Sequence, residues 1–324
     1  MVIRRIGKER LEWLDCWRIL SAIAIIWLHT PQSEQLRTTT NFARYAVPFF
    51  AASAGFMACR IHDFKESIPS FLRSRFLRIY VPFLGWSFIY IAIRWAASLV
   101  MPGTRAYQFT IELFWQGPTS HLWFLPFIFF ATIFAHLLGR LLNQYPGLTW
   151  PIAASLLVGS LAILANPEAS TVLTYTARLS YHTLPALFWG ITLSIVCSRL
   201  GKEWLSRSLT VAIAFAVFLG LEIALVMGDR NQSIQNLAGF FLLLSCFAGN
   251  SFSWVSAVAS VGSLAYGVYL SHILFIEGFQ DLAEFASFPT NAVNDLVVFL
   301  LSAVCSLALT MYMQKSSRLR WLVP

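Results

Sequence analysis

Ten apolar segments dominate the sequence and constrain its fold more than any other feature. A membrane-spanning helix needs about 20 mainly apolar residues. Only 12% of this chain is charged, against roughly 25% in an average soluble domain. We therefore predict an all-α, polytopic integral membrane helical bundle of about ten transmembrane helices, forming a single domain over residues 1–324. The segments lie near residues 14–30, 42–58, 76–101, 122–142, 149–165, 183–199, 208–227, 234–249, 256–277 and 293–313.

Positive charge is distributed unevenly among the connections between these segments. With the amino terminus in the cytoplasm, the cytoplasmic segments hold 16 of the 23 Lys and Arg residues, and the external connections hold five. This bias predicts an even number of spans with both termini in the cytoplasm. It also accounts for the net charge of +8, so no nucleic acid partner is expected. The basic arm Arg4, Arg5, Lys8 and Arg10 precedes a first segment without a cleavage site, which is expected to remain uncleaved.

Cysteine and histidine show none of the usual metal-binding spacings. The five cysteines lie singly in or beside apolar segments, without a C-x-x-C pair. The six histidines form neither an H-x-x-x-H nor an H-E-x-x-H pair. No metal cofactor is therefore expected.

The first apolar segment places an arginine and a histidine on one helical face. Arg18 and His29 are eleven residues apart, which at about 100° per residue is roughly 20° beyond three full turns. Their separation along the helix axis is roughly 16 Å. Polar and charged groups inside a membrane are costly and are functional candidates. The alternative is that Arg18 extends to the cytoplasmic surface while His29 caps the outer end of the span.

The same segment carries a longer pattern. Leu14, Asp15 and Arg18 match L-D-x-x-R, and His29 follows Arg18 after ten intervening residues. In this pattern the chain resembles the acyltransferase 3 family of membrane O-acyltransferases. Residues 48–56 are also similar to the P-x-F-F-x-x-S-G-F motif of that family, with one extra residue between Ser53 and its glycine. A small-residue packing face is the alternative interpretation of this stretch.

Further matches extend the resemblance over most of the chain. Arg75 and Arg78 resemble the R-x-x-R that begins the third span, and basic anchoring of the helix is the alternative. Residues 121–125 read H-L-W-F-L, as in a middle span of the family. Residues 262–272 resemble G-x-x-S-Y-x-x-Y-L-x-H, with Ala265 in place of the serine. For the Tyr and His of this last motif, ordinary hydrogen bonds between helices are the alternative.

The resemblance implies transfer of an acyl group, most often acetyl from acetyl-CoA, to a hydroxyl of a sugar in an extracytoplasmic or lipid-linked glycan, as in polysaccharide biosynthesis. It implies the inner membrane of a bacterium, with acyl-CoA, the glycan acceptor and the lipid bilayer as partners, and leaves open whether the chain forms a homodimer. His29 would be the general base or an acyl relay, with Arg18 and Asp15 supporting it. The donor would bind Arg18, Arg75 and Arg78. The residues expected to bind substrate are Ser53, His121, Trp123, Tyr269 and His272.

The main competing function is a transporter or flippase for an anionic or sugar-linked substrate, which also uses polar residues inside the membrane. No inverted repeat supports it. Arg94 and Glu222 lie in apolar segments without an evident partner, so one or both are expected to face a cavity or each other. The acidic stretch from Glu277 to Asp295 is expected to form an external loop.

Overall fold

The computed structural model describes residues 11–59, 67–99, 110–201, 203–228, 231–248 and 252–324, together with the backbone of Val100. Within these ranges the chain is helical and contains no strand, which confirms the predicted all-α class. The basic arm Arg4, Arg5, Lys8 and Arg10 lies outside the described residues.

Fourteen α-helices occur in the described ranges. They are α1 Glu12–His29, α2 Glu34–Arg37, α3 Ala46–Ala58, α4 Ile68–Arg75, α5 Val81–Val100, α6 Leu113–Gln116, α7 Phe124–Gln144, α8 Thr149–Ala165, α9 Tyr175–Leu200, α10 Ser208–Met227, α11 Gln232–Ser245, α12 Ser253–Ser260, α13 Ala265–Phe285 and α14 Ala292–Lys315. A π-helical segment, Phe76–Tyr80, joins α4 to α5. Five 3₁₀ segments complete the set: Thr38–Tyr45, Pro146–Leu148, Pro167–Ser170, Gly262–Leu264 and Arg320–Leu322.

Seven continuous helical stretches in the described part of the chain are long and apolar enough to cross a membrane. They are Ile68–Leu99, Phe124–Gln144, Pro146–Ala165, Tyr175–Leu200, Ser208–Met227, Ser253–Phe285 and Ala292–Lys315. The predicted count of about ten spans is therefore not confirmed. The other three predicted segments contain α1, which carries three charged residues, and the short helices α3 and α11 of 13 and 14 residues.

The bounds of α1 follow from its sequence. Glu12 and Asp15 occupy its first turns, where the positive end of the helix dipole favours acidic side chains. The N–H of Thr30 bonds to the carbonyl oxygen of Trp27 as the helix ends at His29, and Pro31 has no backbone N–H with which to continue the helical hydrogen bonds. Between these ends α1 packs against α12, α13 and the 3₁₀ segment Thr38–Tyr45.

Helix α3 is short and lies among α7, α9 and α11 at close range. A β-carbon added to Gly190 of α9 would lie 2.0 Å from the carbonyl oxygen of Ala52, and one added to Gly239 of α11 would lie 2.5 Å from the backbone nitrogen of Phe49. Gly55 of α3 likewise faces the backbone of Leu187. Small residues at these positions let the helix backbones approach each other, as the small-residue packing interpretation of residues 48–56 expects.

The acidic stretch predicted as an external loop is mostly helical, so the prediction of a loop was wrong, and its external location stays a prediction. Helix α13 continues through Glu277, Asp281 and Glu284 before it ends at Phe285. These three carboxylates recur at steps of four and three residues, which places them on one helical face. Asp295 is buried in the first turn of α14.

Arg94 and Glu222 lie in different surroundings, and of the two expected alternatives the cavity-facing one holds for Glu222. The Nη2 atom of Arg94 lies 3.3 Å from the Oε1 atom of Glu277, which joins α5 to α13. Glu222 instead lines an apolar cavity of about 500 Å³ with Trp17, Tyr45 and Phe218 among its neighbours.

Candidate active site

His29 is the last residue of α1, and it lies next to a group of three aromatic side chains from other parts of the chain. Its ring centroid lies 5.4 Å from that of His272, on α13. The centroid of His272 lies in turn 4.8 Å from that of His121, which precedes α7. Tyr269 lies 5.6 Å from His121 and 5.8 Å from His272. The structure therefore brings together four of the predicted site residues, and we refer to His29, His121, Tyr269 and His272 as the histidine cluster.

The cluster has one accessible member and three enclosed ones. His29 is half-buried, whereas His121, Tyr269 and His272 expose only 3%, 7% and 0% of their surfaces. His29 is consequently the member of the cluster with the largest exposed fraction. The three buried side chains lie behind it and fix its surroundings.

Hydrogen bonds hold the buried part of the cluster in place. The Tyr269 hydroxyl donates to the backbone carbonyl oxygen of His121, which ties α13 to the turn before α7. The Nδ1 atom of His272 lies 2.7 Å from the carbonyl oxygen of Tyr269, one helical turn earlier. Tyr90 of α5 was not anticipated from the sequence, although its hydroxyl donates to the carbonyl oxygen of Leu270 at 2.8 Å and its ring lies 5.6 Å from that of His121.

Three imidazole nitrogens in this cluster are buried without a hydrogen-bond partner. They are both ring nitrogens of His121 and the Nε2 atom of His272. A buried polar atom left unpaired costs about 1–3 kcal/mol, and native proteins leave few of them. Each such atom in a native structure needs an explanation, and a catalytic role of the site is one of them.

At the amino-terminal end of α1, Arg18 and Asp15 form an ion pair. The Nη1 atom of Arg18 lies 3.1 Å from the Oδ1 atom of Asp15, and the two side chains are 34% and 20% exposed. The i to i+3 step places them side by side on the helix surface. Asp15 therefore holds Arg18 in a fixed direction and leaves its remaining N–H groups available for an anion.

The surface of α1 between Arg18 and His29 is packed. Ala22 and Ile25 lie on the same helical stripe, and they expose 0% and 1% of their surfaces. Arg18 and His29 share a face of one continuous helix, as the spacing predicts. The stripe that joins them is filled by neighbouring side chains, so it does not form an open passage.

Arg75 and Arg78 occupy different environments. Arg75 ends α4 and is half-buried, with its guanidinium carbon 4.8 Å from the ring centroid of Phe71. Arg78 lies in the π-helical segment and is exposed. This segment packs mainly against α5 and α7. Short π-helical segments within α-helices are frequent at functional sites.

The structure does not place the remaining predicted site residues in the histidine cluster. Ser53 is 2% exposed on α3, and its Oγ atom has no hydrogen-bond partner. Trp123 is 8% exposed and packs against Phe124 and Phe127. Phe124 in turn lies 6.1 Å from Tyr269, so Trp123 borders the cluster through one intervening ring.

Three further residues near His29 were missed by the sequence reasoning. Arg44 lies close enough to His29 to act on it electrostatically. Gln280 donates to the carbonyl oxygen of Thr30 at 3.1 Å. Asp295 accepts hydrogen bonds from the backbone N–H groups of Gln32 and Ser33, each at 3.1 Å. The partners of these three residues are distant in the chain. The one signal in the sequence is therefore that polar residues lie in or beside apolar segments.

Among the described residues, no group of three or more His, Cys, Asp and Glu side chains has an arrangement that could hold a metal ion.

The fold and the cluster define a multi-pass membrane protein with an interior histidine site. A family model described as an acyltransferase domain matches residues 11–314, nearly the whole chain. The chain therefore belongs to the acyltransferase 3 family and is a membrane acyltransferase, which confirms the resemblance of its motifs. No curated protein and no solved structure matches it. Membership of this family favours acyl transfer over the competing transporter function.

Proposed function

We propose that this protein is an O-acyltransferase of a bacterial inner membrane. It takes an acyl group, acetyl in the first instance, from cytoplasmic acyl-CoA and transfers it to a hydroxyl of a sugar in an extracytoplasmic or lipid-linked glycan. The chain forms one domain over residues 1–324, with both termini in the cytoplasm. Family membership supports acyl transfer. The observation that carries the proposal is the position of half-buried His29 beside two buried histidines with unpaired nitrogens.

His29 acts as general base in this proposal. One of its ring nitrogens takes the proton from the acceptor hydroxyl as the oxygen attacks the thioester carbonyl carbon. The tetrahedral intermediate then collapses, the carbon–sulfur bond breaks, and the CoA thiolate takes the proton from the imidazolium. The products are an O-acyl ester and the free CoA thiol. The accessibility of His29, relative to the other members of the cluster, supports its role in this step.

An acyl relay through His29 is the second route to the same products. The imidazole first attacks the thioester carbonyl carbon, the carbon–sulfur bond breaks, and the departing CoA thiolate takes the proton that the ring releases. The acceptor hydroxyl then attacks the acyl-imidazole, the carbon–nitrogen bond breaks, and the hydroxyl proton returns to the imidazole. The two routes differ in whether labelled protein accumulates without an acceptor. Rapid quenching of the protein with labelled acetyl-CoA distinguishes them, because only the relay yields a labelled histidine.

The arginines at the amino-terminal ends of α1 and α5 are proposed to bind the donor. Arg18 is held by Asp15, and guanidinium groups make bidentate contacts with phosphate oxygens. Arg78 is exposed and Arg75 is steadied by Phe71. An anionic CoA headgroup held there directs its thioester arm towards the interior. Because the stripe between Arg18 and His29 is packed, delivery of the thioester requires side chains on that stripe to move or the arm to enter beside α1.

The acceptor is proposed to approach His29 from the opposite end of α1. Tyr269 and Ser53 are candidates for binding the oxyanion or the acceptor, and His121 and Trp123 border the same space. Since most of these side chains are buried, acceptor contacts with them require the site to open around His29.

Labelled acetyl transfer in isolated membranes tests the proposed function. Membranes containing the protein are incubated with [¹⁴C]acetyl-CoA, with and without a surface glycan fraction from the same cells. We expect alkali-labile label in the glycan and stoichiometric release of CoA thiol. Membranes containing His29→Ala provide the control and should show neither. Equal labelling by both membranes would contradict the proposal, and so would label that resists mild alkali, because such label is not an oxygen ester.

A further inference from the structure

We infer that His272 is a positioning residue for His29: its Nε2 atom accepts a hydrogen bond from the ring N–H of His29, so that the other nitrogen of His29 is directed at the acceptor. This inference rests on the proposed function, because it assigns a role to His272 only if His29 is the base. It separates His272 from the residues that contact substrate.

The hydrogen bond inside α13 fixes the tautomer of neutral His272. Its Nδ1 atom lies 2.7 Å from the carbonyl oxygen of Tyr269, and a carbonyl oxygen can only accept a hydrogen bond. Nδ1 therefore carries the proton, and Nε2 carries a lone pair. A residue with this tautomer can accept a proton donor at Nε2 and cannot offer one there.

The surroundings of Nε2 indicate which donor it meets. This atom is buried without a hydrogen-bond partner, and His272 as a whole is 0% exposed, so water does not satisfy it. The ring of His29 lies at a centroid distance of 5.4 Å with a tilt of 42°. At this distance the edges of two imidazoles come within hydrogen-bonding range when one ring turns about its χ2 angle, a torsion with a broad energy profile.

The chemistry of the proposed reaction requires such a partner. A general base needs a lone pair on the nitrogen that faces the acceptor, so its proton must be held on the other nitrogen. When His29 becomes an imidazolium, the nearby Arg44 opposes the new charge. The Nε2 lone pair of His272, at the opposite edge of the His29 ring, accepts a hydrogen bond from the imidazolium and so offsets this repulsion. A carboxylate fills this place in the hydrolase triads, and here a neutral imidazole of fixed tautomer does so.

His121 is the competing donor for the same lone pair. Its ring centroid lies 4.8 Å from that of His272, and both of its nitrogens are unpaired. His29 is favoured because it is the accessible ring, and because only the orientation of His29 affects the chemical step directly. The two alternatives predict different patterns of coupling between variants.

Two isosteric variants separate positioning from a structural role. The amide of His272→Asn lies near the former Nδ1 position, so it can still donate to the Tyr269 carbonyl but offers nothing at Nε2. The amide oxygen of His272→Gln lies near the former Nε2 position and can still accept from His29. The measurement is CoA thiol release from acetyl-CoA by purified protein, with methyl glucoside or water as the probe acceptor.

We expect His272→Asn to lower kcat about 10- to 100-fold with little change in donor KM, since this corresponds to losing one hydrogen bond to a charged group. We expect His272→Gln to retain most of the wild-type kcat. A purely structural histidine gives the reverse order, because only Asn preserves the bond to Tyr269. That reverse order, or a wild-type kcat in His272→Asn, would overturn the inference.

Coupling between variants identifies the partner of His272. In a double-mutant cycle, His272→Asn should add little to the defect of His29→Ala, because residues that act as a unit are not additive. Additive effects at these two positions, together with coupling between His272→Asn and His121→Phe, would assign the bond to His121 and overturn the inference.

Two other outcomes are possible: the wild-type protein is inactive, or the variants do not fold. If wild-type protein shows no His29-dependent thiol release, the proposed function itself fails, whatever the His272 variants do. If the variants do not fold, ¹⁵N-histidine NMR of the wild-type protein replaces them. We expect a neutral ring protonated at Nδ1 whose Nε2 signal carries the shift of a hydrogen-bonded acceptor; a spectrum without such a ring would overturn the inference.

Discussion

The two ends of α1 carry the two candidate functional groups of this protein, and they are built in opposite ways. At the carboxyl-terminal end, half-buried His29 lies against the buried ring of His272 on α13, and His272 in turn lies against His121 in the turn before α7. At the amino-terminal end, Arg18 is paired with Asp15 in a partly exposed position. The first end is enclosed mainly by packed aromatic rings, as suits a reaction centre. The second is charged and accessible, as suits the binding of an anion.

The largest difference between the two ends is expected in the chemical step. His29→Ala should reduce acyl transfer by roughly 10²–10⁴-fold, the usual range for loss of a positioned acid–base group. His29→Gln should not restore activity, because an amide can form hydrogen bonds but cannot take up the proton. Single-turnover transfer from acetyl-CoA by purified variants measures this effect.

The matched control for His29 is His182, a half-buried histidine on α9 whose ring bonds to Ser170 at 3.0 Å. His182→Ala should keep the wild-type transfer rate, so the defect of His29→Ala is not a general effect of removing an imidazole from a helix. Equal losses in both variants would show that the assay reports folding rather than catalysis.

A smaller effect of a different kind is expected at the Arg18 end. Arg18→Ala should raise the donor KM by roughly 10–100-fold, the equivalent of one hydrogen bond to a charged group. Its effect on kcat should be smaller, because contacts to the donor phosphates are similar in the ground and transition states. Arg18→Lys should recover part of the affinity through its charge, but not all, because Lys lacks the planar fork of Arg.

Initial rates over a range of acetyl-CoA concentrations separate the two constants. An Arg18→Ala variant with wild-type KM and strongly reduced kcat would place Arg18 in the chemical step and remove the contrast between the two ends.

The smallest effect is expected from a glycine that supports the Arg18 end. A β-carbon at Gly262 would lie 2.6 Å from the backbone oxygen of Asp15, so Gly262→Ala must displace the backbone next to the ion pair. We expect a loss of roughly 1–3 kcal/mol in stability, as for other overpacked sites, and a donor KM raised less than in Arg18→Ala.

The comparison variant is Gly278→Ala on α13, where an added β-carbon meets nothing within 4 Å. It should gain roughly 0.5–1 kcal/mol, since alanine is preferred over glycine within a helix. Thermal unfolding in detergent measures both. If Gly262→Ala is as stable as Gly278→Ala, the close packing at the Arg18 end is not as tight as the structure shows.

The helical class and the geometry of α1 could be predicted from the sequence because they depend on local patterns. Each of the ten apolar segments contains a helix. The eleven-residue step from Arg18 to His29 places the two residues on one face because α1 is continuous from Glu12 to His29. A step along one helix is a local property, so no tertiary information is needed to place the two residues on one face.

The partners of these residues could not be predicted, because they come from distant parts of the chain. His29 meets His272 through the packing of α1 against α13, and Arg94 meets Glu277 at a separation of 183 residues. The loop prediction for Glu277 to Asp295 failed for another reason. Composition was given more weight than periodicity, although the spacing of Glu277, Asp281 and Glu284 matches one face of a helix.

The central claim is that the imidazole of residue 29 acts from its particular position on α1. The most direct test moves that imidazole by one residue, as Leu28→His combined with His29→Leu, which conserves the composition of the helix. The step turns the imidazole about 100° around the axis, away from His272 and from the stripe of Arg18. We predict that the double variant inserts and folds as the wild type does but transfers no acetyl from [¹⁴C]acetyl-CoA. Transfer at a substantial fraction of the wild-type rate would contradict the claim.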